Sequence, residues 1–117
     1  MKIYTSYYGN LKALAKAGIK PIGISVGIPK YFSDFTMKEL APRYEMLKMP
    51  EITYRKEFAQ ILAYRDAMKI IEKIQSYANG QDVALLCYER PGEFCHRQLV
   101  AEWLSKETGI EVIEFKG

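Results

Sequence analysis

The hydrophobic positions change period several times along the chain, and each change marks an element. Residues 2–8, Lys-Ile-Tyr-Thr-Ser-Tyr-Tyr, are rich in β-branched and aromatic side chains and predict a first strand. Gly9-Asn10 punctuates it. Asn10 is placed to cap a short helix from Leu11 to Lys16, and Gly18 stands where a helix-ending glycine belongs. Ile19 to Val26 is a second apolar run, with Pro21 compatible only with the start of a strand or a sheet edge. Strand, short helix and strand in quick succession predict a parallel crossover.

Residues 27–57 are less regular. Thr36-Met-Lys-Glu39 has the spacing of a capping box, and Pro42 ends that short helix or opens the next turn. From Tyr54 onward the period is helical: Phe58, Ile61, Tyr64, Met68, Ile71, Ile74 and Ala78 recur at steps of three and four. Arg65, Asp66, Lys69, Glu72 and Lys73 take the wet side, and Asn79-Gly80 stops the helix. Val83 to Tyr88 is continuously apolar, the mark of a central parallel strand buried on both faces. A polar loop, Glu89 to Phe94, leads to a helix from about Cys95 to Lys106. Gly109 closes that helix before a last strand at Ile110 to Phe115. The expected fold is α/β: a single Rossmann-like domain with a small, mostly parallel sheet of about four strands flanked by helices.

Composition narrows the function classes. With 117 residues and 49% apolar content, the chain suits one globular domain with a real core. No apolar run approaches the roughly 20 residues needed to span a bilayer, so no membrane role is expected. The opening Met-Lys-Ile-Tyr-Thr lacks the features of a secretion signal, and with only two cysteines a reducing, cytoplasmic setting is expected. That compartment argues against a disulfide between Cys87 and Cys95. The net charge of +3 permits a nucleic-acid or nucleotide partner without pointing to one.

The chemistry gathers in one stretch. Both cysteines and the only histidine lie between positions 87 and 96, where a strand ends and a helix begins. Ligands of open parallel sheets bind beyond the carboxyl ends of the strands. A thiol at a helix N-terminus has a lowered pKa. Cys95 is therefore a candidate thiolate, His96 a proton carrier, Arg97 a two-bond anion holder and Glu89 an acid–base or orienting group. Ser6, Asn10 and Ser25 can join from the ends of the first two strands, and Lys30 and Tyr54 from the irregular middle segment.

Competing chemistries fit less well. A cysteine phosphatase loop needs an arginine six residues after its cysteine, and those positions here hold Glu93 and Ala101. A metal site from Cys87, Cys95, His96 and Glu89 lacks the paired short spacing of structural zinc, and adjacent helical residues 95 and 96 would point about 100° apart. No metal is expected, and the sequence specifies no cofactor. The structural alternative is simple: Cys87 as core, His96 on one helix face with Val100 and Trp103, and Arg97 paired with Glu93 one turn back.

The same residues carry a likeness. Cys87-Tyr-Glu89, five residues, then Cys95-His96-Arg97 resembles the hallmark of the bacterial and archaeal family called domain of unknown function 488. Ile24-Ser-Val-Gly-Ile-Pro-Lys-Tyr-Phe32 resembles the second-strand segment of a short branch of that family. Longer members often carry an acidic and a basic residue around Asp-Val-Arg there, and Ile24-Ser25-Val26 has neither charge. The resemblance implies a prokaryotic source, and that Glu89, Cys95, His96 and Arg97 act as a unit. It names no reaction.

Two function classes follow. One is an enzyme acting on a small anionic or nucleobase-containing substrate at a Glu89/Cys95-His96-Arg97 pocket. The other is a non-catalytic nucleic-acid or protein binding module using residues 30–56, where cations alternate with aromatics and where a lid over the sheet edge is also expected.

Overall fold

The computed structural model describes residues 1–117. Four strands, β1 (Ile3–Tyr7), β2 (Ile19–Gly23), β3 (Asp82–Cys87) and β4 (Val112–Glu114), form one all-parallel sheet in the order β2-β3-β1-β4. Four α-helices connect them: α1 (Leu11–Lys16), α2 (Glu51–Ala63), α3 (Ala67–Ala78) and α4 (His96–Thr108). The apolar run predicted as a central strand is β3, paired on both sides, with Val83 to Cys87 all buried. Pro21 falls on β2, an edge strand, where its missing N–H breaks no ladder.

Side-chain alternation divides the core into two layers. Ile3, Val83 and Leu85 face α2, α3 and α4 in the larger cluster, around Phe58, Ile74, Val100 and Leu104. Ala84 and Leu86 face the other way, onto Leu14 of α1 and onto Tyr8 and Phe32. Both sheet faces are thus covered, as the unbroken hydrophobicity of β3 requires.

The periodic stretch from 54 to 78 is two helices rather than one. The break at Tyr64–Asp66 occurs because the Asp66 carboxylate accepts from the Lys69 amide (3.2 Å) and starts α3 afresh. β1 and β2 are parallel strands linked through α1, yet β3 lies between them. The Thr36 capping box does not form. Thr36 instead bridges Gly23, and the turn at Lys38–Leu40 is a 3-10 helix capped by no side chain. Nor does Asn10 cap α1; its amide donates to Ser6 Oγ (3.2 Å). Both miss because a tertiary or nearer partner outcompetes the local cap.

Candidate active site

All four strands end on the same edge of the sheet, and there the segments after β2 and β3 meet the N-terminus of α4. Residues 42–54 fold over this edge. Between them lies a cavity of about 470 Å³, with Ser25, Tyr54, Glu89, Phe94, Cys95 and His96 in its wall. Leu47 and Met49 close it from the middle segment, so that segment does form part of the enclosure.

His96 is buried and fixed from two sides. Its Nε2 lies 2.6 Å from the Ile24 carbonyl just past β2, an acceptor only, so Nε2 carries the proton. Phe58 packs edge-on against the ring, with centroids 5.5 Å apart. Burial, aided by the nearby Arg97 charge and opposed by the Ile24 bond, lowers its pKa to about 4. The neutral ring leaves an Nδ1 lone pair, 3.7 Å from Cys95 Sγ.

Cys95 precedes the first turn of α4 with extended backbone (φ −149°, ψ 146°), and its amide donates to Gln98 Oε1 (3.0 Å). Its sulfur is joined to Cys87, the last residue of β3, as a disulfide. This bond overturns the expectation of free thiols in a reducing compartment. What brings the sulfurs together is the loop from 88 to 94, which returns the chain so that the start of α4 sits over the end of β3.

Arg97 is fully buried and belongs to a different corner. Its Nε and Nη2 reach the two oxygens of Glu114 at the end of β4 (3.1 and 3.2 Å), and Nη1 reaches the Glu89 carbonyl (2.6 Å) and Cys87 Sγ (3.1 Å). Thr5 Oγ1 completes the carboxylate's shell at 2.7 Å. Sequence reasoning missed Glu114. Its only signal was an acidic residue on the last predicted strand, and nothing local couples it to Arg97. The pairing with Glu93 does not form; Glu93 accepts from the Arg90 amide.

Of the expected site residues, Glu89, Cys95, His96, Ser25 and Tyr54 come together at the cavity, while Arg97, Ser6, Asn10 and Lys30 do not line it. Ser6 is buried against Asn10 on the side of the sheet that carries Tyr4, and Lys30 is exposed. Ser25 Oγ donates to the Gly27 carbonyl (2.6 Å), which leaves the buried Tyr8 hydroxyl to donate to it at 2.7 Å. Tyr54 is raised well above the usual phenol range by burial and by the Glu89 charge, so its hydroxyl stays protonated. Glu51 is paired with Arg55 (2.9 Å), whereas Glu89 forms no ion pair. The lining contains no lysine or arginine.

A parallel α/β sheet with polar groups converging beyond its carboxyl edge defines a Rossmann-like domain with a ligand-sized cavity. The chain matches the family model described as "Active DUF488-N3 subclade" over residues 11–108, and so it belongs to the domain of unknown function 488 family. That match takes in β2, β3 and all the cavity's walls, and leaves out β1 and β4, hence Glu114. No curated protein and no solved structure matches the chain.

Proposed function

We propose that this protein is an enzyme acting on a small nucleobase-containing molecule held in the cavity between Tyr54, Phe94 and the start of α4. The observation that carries this reading is the cavity's combination of aromatic walls with a single unpaired carboxylate, Glu89, and no cation. Flat heteroaromatic rings are held by such walls, and their ring N–H and amino groups donate to a carboxylate. An anionic group finds no free cation here, because the Arg97 guanidinium is engaged by Glu114 and Arg55, stacked on Phe94, is engaged by Glu51. The nucleobase half of the sequence expectation is therefore preferred over the anionic half.

Each residue has a role in this reading. Glu89 accepts a proton from the ring or returns one to it. Tyr54, held protonated, donates a hydrogen bond to a ring nitrogen or carbonyl. Cys95 and neutral His96 shape the inner wall, and Arg97 is a positioning residue that fixes the backbone of Glu89 through its carbonyl. The alternative, a nucleic-acid or protein binding module built on residues 30–56, has less support. Arg43 and Arg55 are spent on Glu45, Glu57 and Glu51, and Lys38 donates to the Val26 carbonyl, leaving Lys30, Lys48 and Lys56 as exposed cations without a partner.

The test is calorimetric titration of the protein with the free bases and nucleosides of adenine, guanine, cytosine and uracil. Saturable binding of an amino-bearing base is expected, at least about tenfold weaker in Glu89→Gln, since a hydrogen bond to a charged group is worth about 1.5–3 kcal/mol. Absence of saturable binding to every base and nucleoside, or equal affinity in Glu89→Gln, defeats the reading.

A further inference from the structure

We propose that, once the Cys87–Cys95 disulfide is reduced, Cys87, Cys95 and His96 form a three-ligand site for zinc or a similar divalent transition ion, with its open position facing the cavity. The three donor atoms lie within 4.8 Å of one another, and all three residues line the cavity. The site is independent of the substrate proposed above.

The objection from sequence was that neighbouring helical residues point apart. It does not hold, because Cys95 precedes the helix and its backbone is extended. The side chains of 95 and 96 therefore turn toward each other, leaving Sγ and Nδ1 3.7 Å apart. Sulfur and nitrogen ligands on one tetrahedral ion, at about 2.3 and 2.0–2.1 Å from it, are separated by about 3.6 Å. The cysteine Cα atoms stand 7.4 Å apart. That exceeds the roughly 4.4–6.8 Å common for disulfides, and it accommodates two thiolates set apart by a shared ion.

The surroundings resemble the outer shell of a metal site. A histidine that binds metal through one nitrogen usually donates the other N–H to a backbone carbonyl or carboxylate, which fixes the tautomer. His96 does this through Nε2 to Ile24 O, so Nδ1 is the free donor and lies on the sulfur side. Arg97 Nη1 sits 3.1 Å from Cys87 Sγ and offsets the charge of that thiolate. Two cysteines and one histidine leave one of four tetrahedral positions free. Three protein ligands with an open position is the arrangement of catalytic rather than structural zinc.

The two states exclude each other. A phosphine reductant breaks the S–S bond, taking oxygen from water to become the phosphine oxide and leaving two thiols. The divalent ion then displaces both thiol protons to the buffer while Nδ1 supplies its lone pair. In a cell a dithiol protein would be the reductant, oxidised to its own disulfide.

Cobalt(II) reports the site directly. Chelator-treated, phosphine-reduced protein is titrated with cobalt and then with zinc. The expected result is one cobalt per chain, with the visible bands of a tetrahedral ion and sulfur-to-cobalt charge transfer, all bleached by zinc. The oxidised protein should show none of this, and the redox comparison needs no variant. Cys95→Ser, checked for its native circular dichroism, should lose most of the charge-transfer intensity. The proposal is overturned if reduced, folded protein with both thiols titratable gives no charge-transfer band. It is overturned equally if oxidised protein binds cobalt as well as reduced protein does. Neither result bears on whether bases enter the cavity.

Discussion

Arg97 and Glu114 form a two-pronged ion pair, Nε to Oε1 at 3.1 Å and Nη2 to Oε2 at 3.2 Å, that ties the first turn of α4 to the end of β4. The guanidinium is fully buried, and the carboxylate keeps about a fifth of its side chain in solvent. Glu89 O and Cys87 Sγ accept from Arg97 Nη1, and Thr5 Oγ1 donates to Glu114 Oε1. The pair thereby holds the ends of β3 and β4, the middle of β1 and the start of α4 in a fixed relation, and the cavity is built against that frame.

Removing one partner of such a pair leaves a buried charge without compensation. Glu114→Gln should lower stability by about 3 kcal/mol, the lower end for a broken buried pair because the carboxylate is partly solvated. Urea unfolding monitored by circular dichroism measures it. A change below about 0.5 kcal/mol would show that Arg97 does not depend on this carboxylate.

The cavity groups should behave oppositely. Neither the Tyr54 hydroxyl nor the Glu89 carboxylate takes part in an internal hydrogen bond that either replacement would break. Tyr54→Phe and Glu89→Gln should therefore each stay within about 0.5 kcal/mol of the parent. Thermal unfolding of both variants beside Glu114→Gln gives the comparison. Marked destabilisation by either would recast that residue as part of the scaffold.

The buried imidazole predicts an acid limb to stability. His96 has a folded pKa of about 4 against an ordinary value of 6.5. Below pH 6.5 the unfolded chain takes up a proton that the folded chain refuses. The contribution is thus complete above pH 6.5 and falls away as pH drops toward 4, by roughly 3 kcal/mol in all. Urea unfolding of the oxidised, chelator-treated protein across this range checks it, with His96→Gln expected to flatten the limb. An equal slope in parent and variant would mean that other groups dominate.

Gly23 marks a packing limit beneath the site. A Cβ there would lie 2.8 Å from the Tyr8 hydroxyl and 3.2 Å from the Phe32 ring. Gly23→Ala must push the Tyr8 ring away from Ser25, and a loss of about 1–3 kcal/mol is expected from overpacking. The double variant Gly23→Ala with Tyr8→Ala should lose less than the sum of the two single changes, measured by urea unfolding. Strict additivity would place the strain elsewhere.

What the sequence determined by itself was whatever local periodicity and backbone chemistry encode. The unbroken apolar run at 83–88 specified a strand covered on both faces, and Pro21 confined its strand to an edge. Gly109 ended α4, and the junction near residue 90 was readable as the point where polar groups collect. The boundary between α2 and α3 was missed although its signal, Asp66, lies in plain sequence, because the apolar period carries across the break. Only the tertiary structure decided which groups meet. The Ile24 carbonyl that fixes His96 is 72 positions away, and Glu114, which engages Arg97, is 17. Such pairings depend on strand order, and strand order follows from how helices cover the two sheet faces, a collective property that no window of sequence contains. For that reason the polar cluster could be located in advance, whereas its division into a buried clamp and an open cavity wall could not.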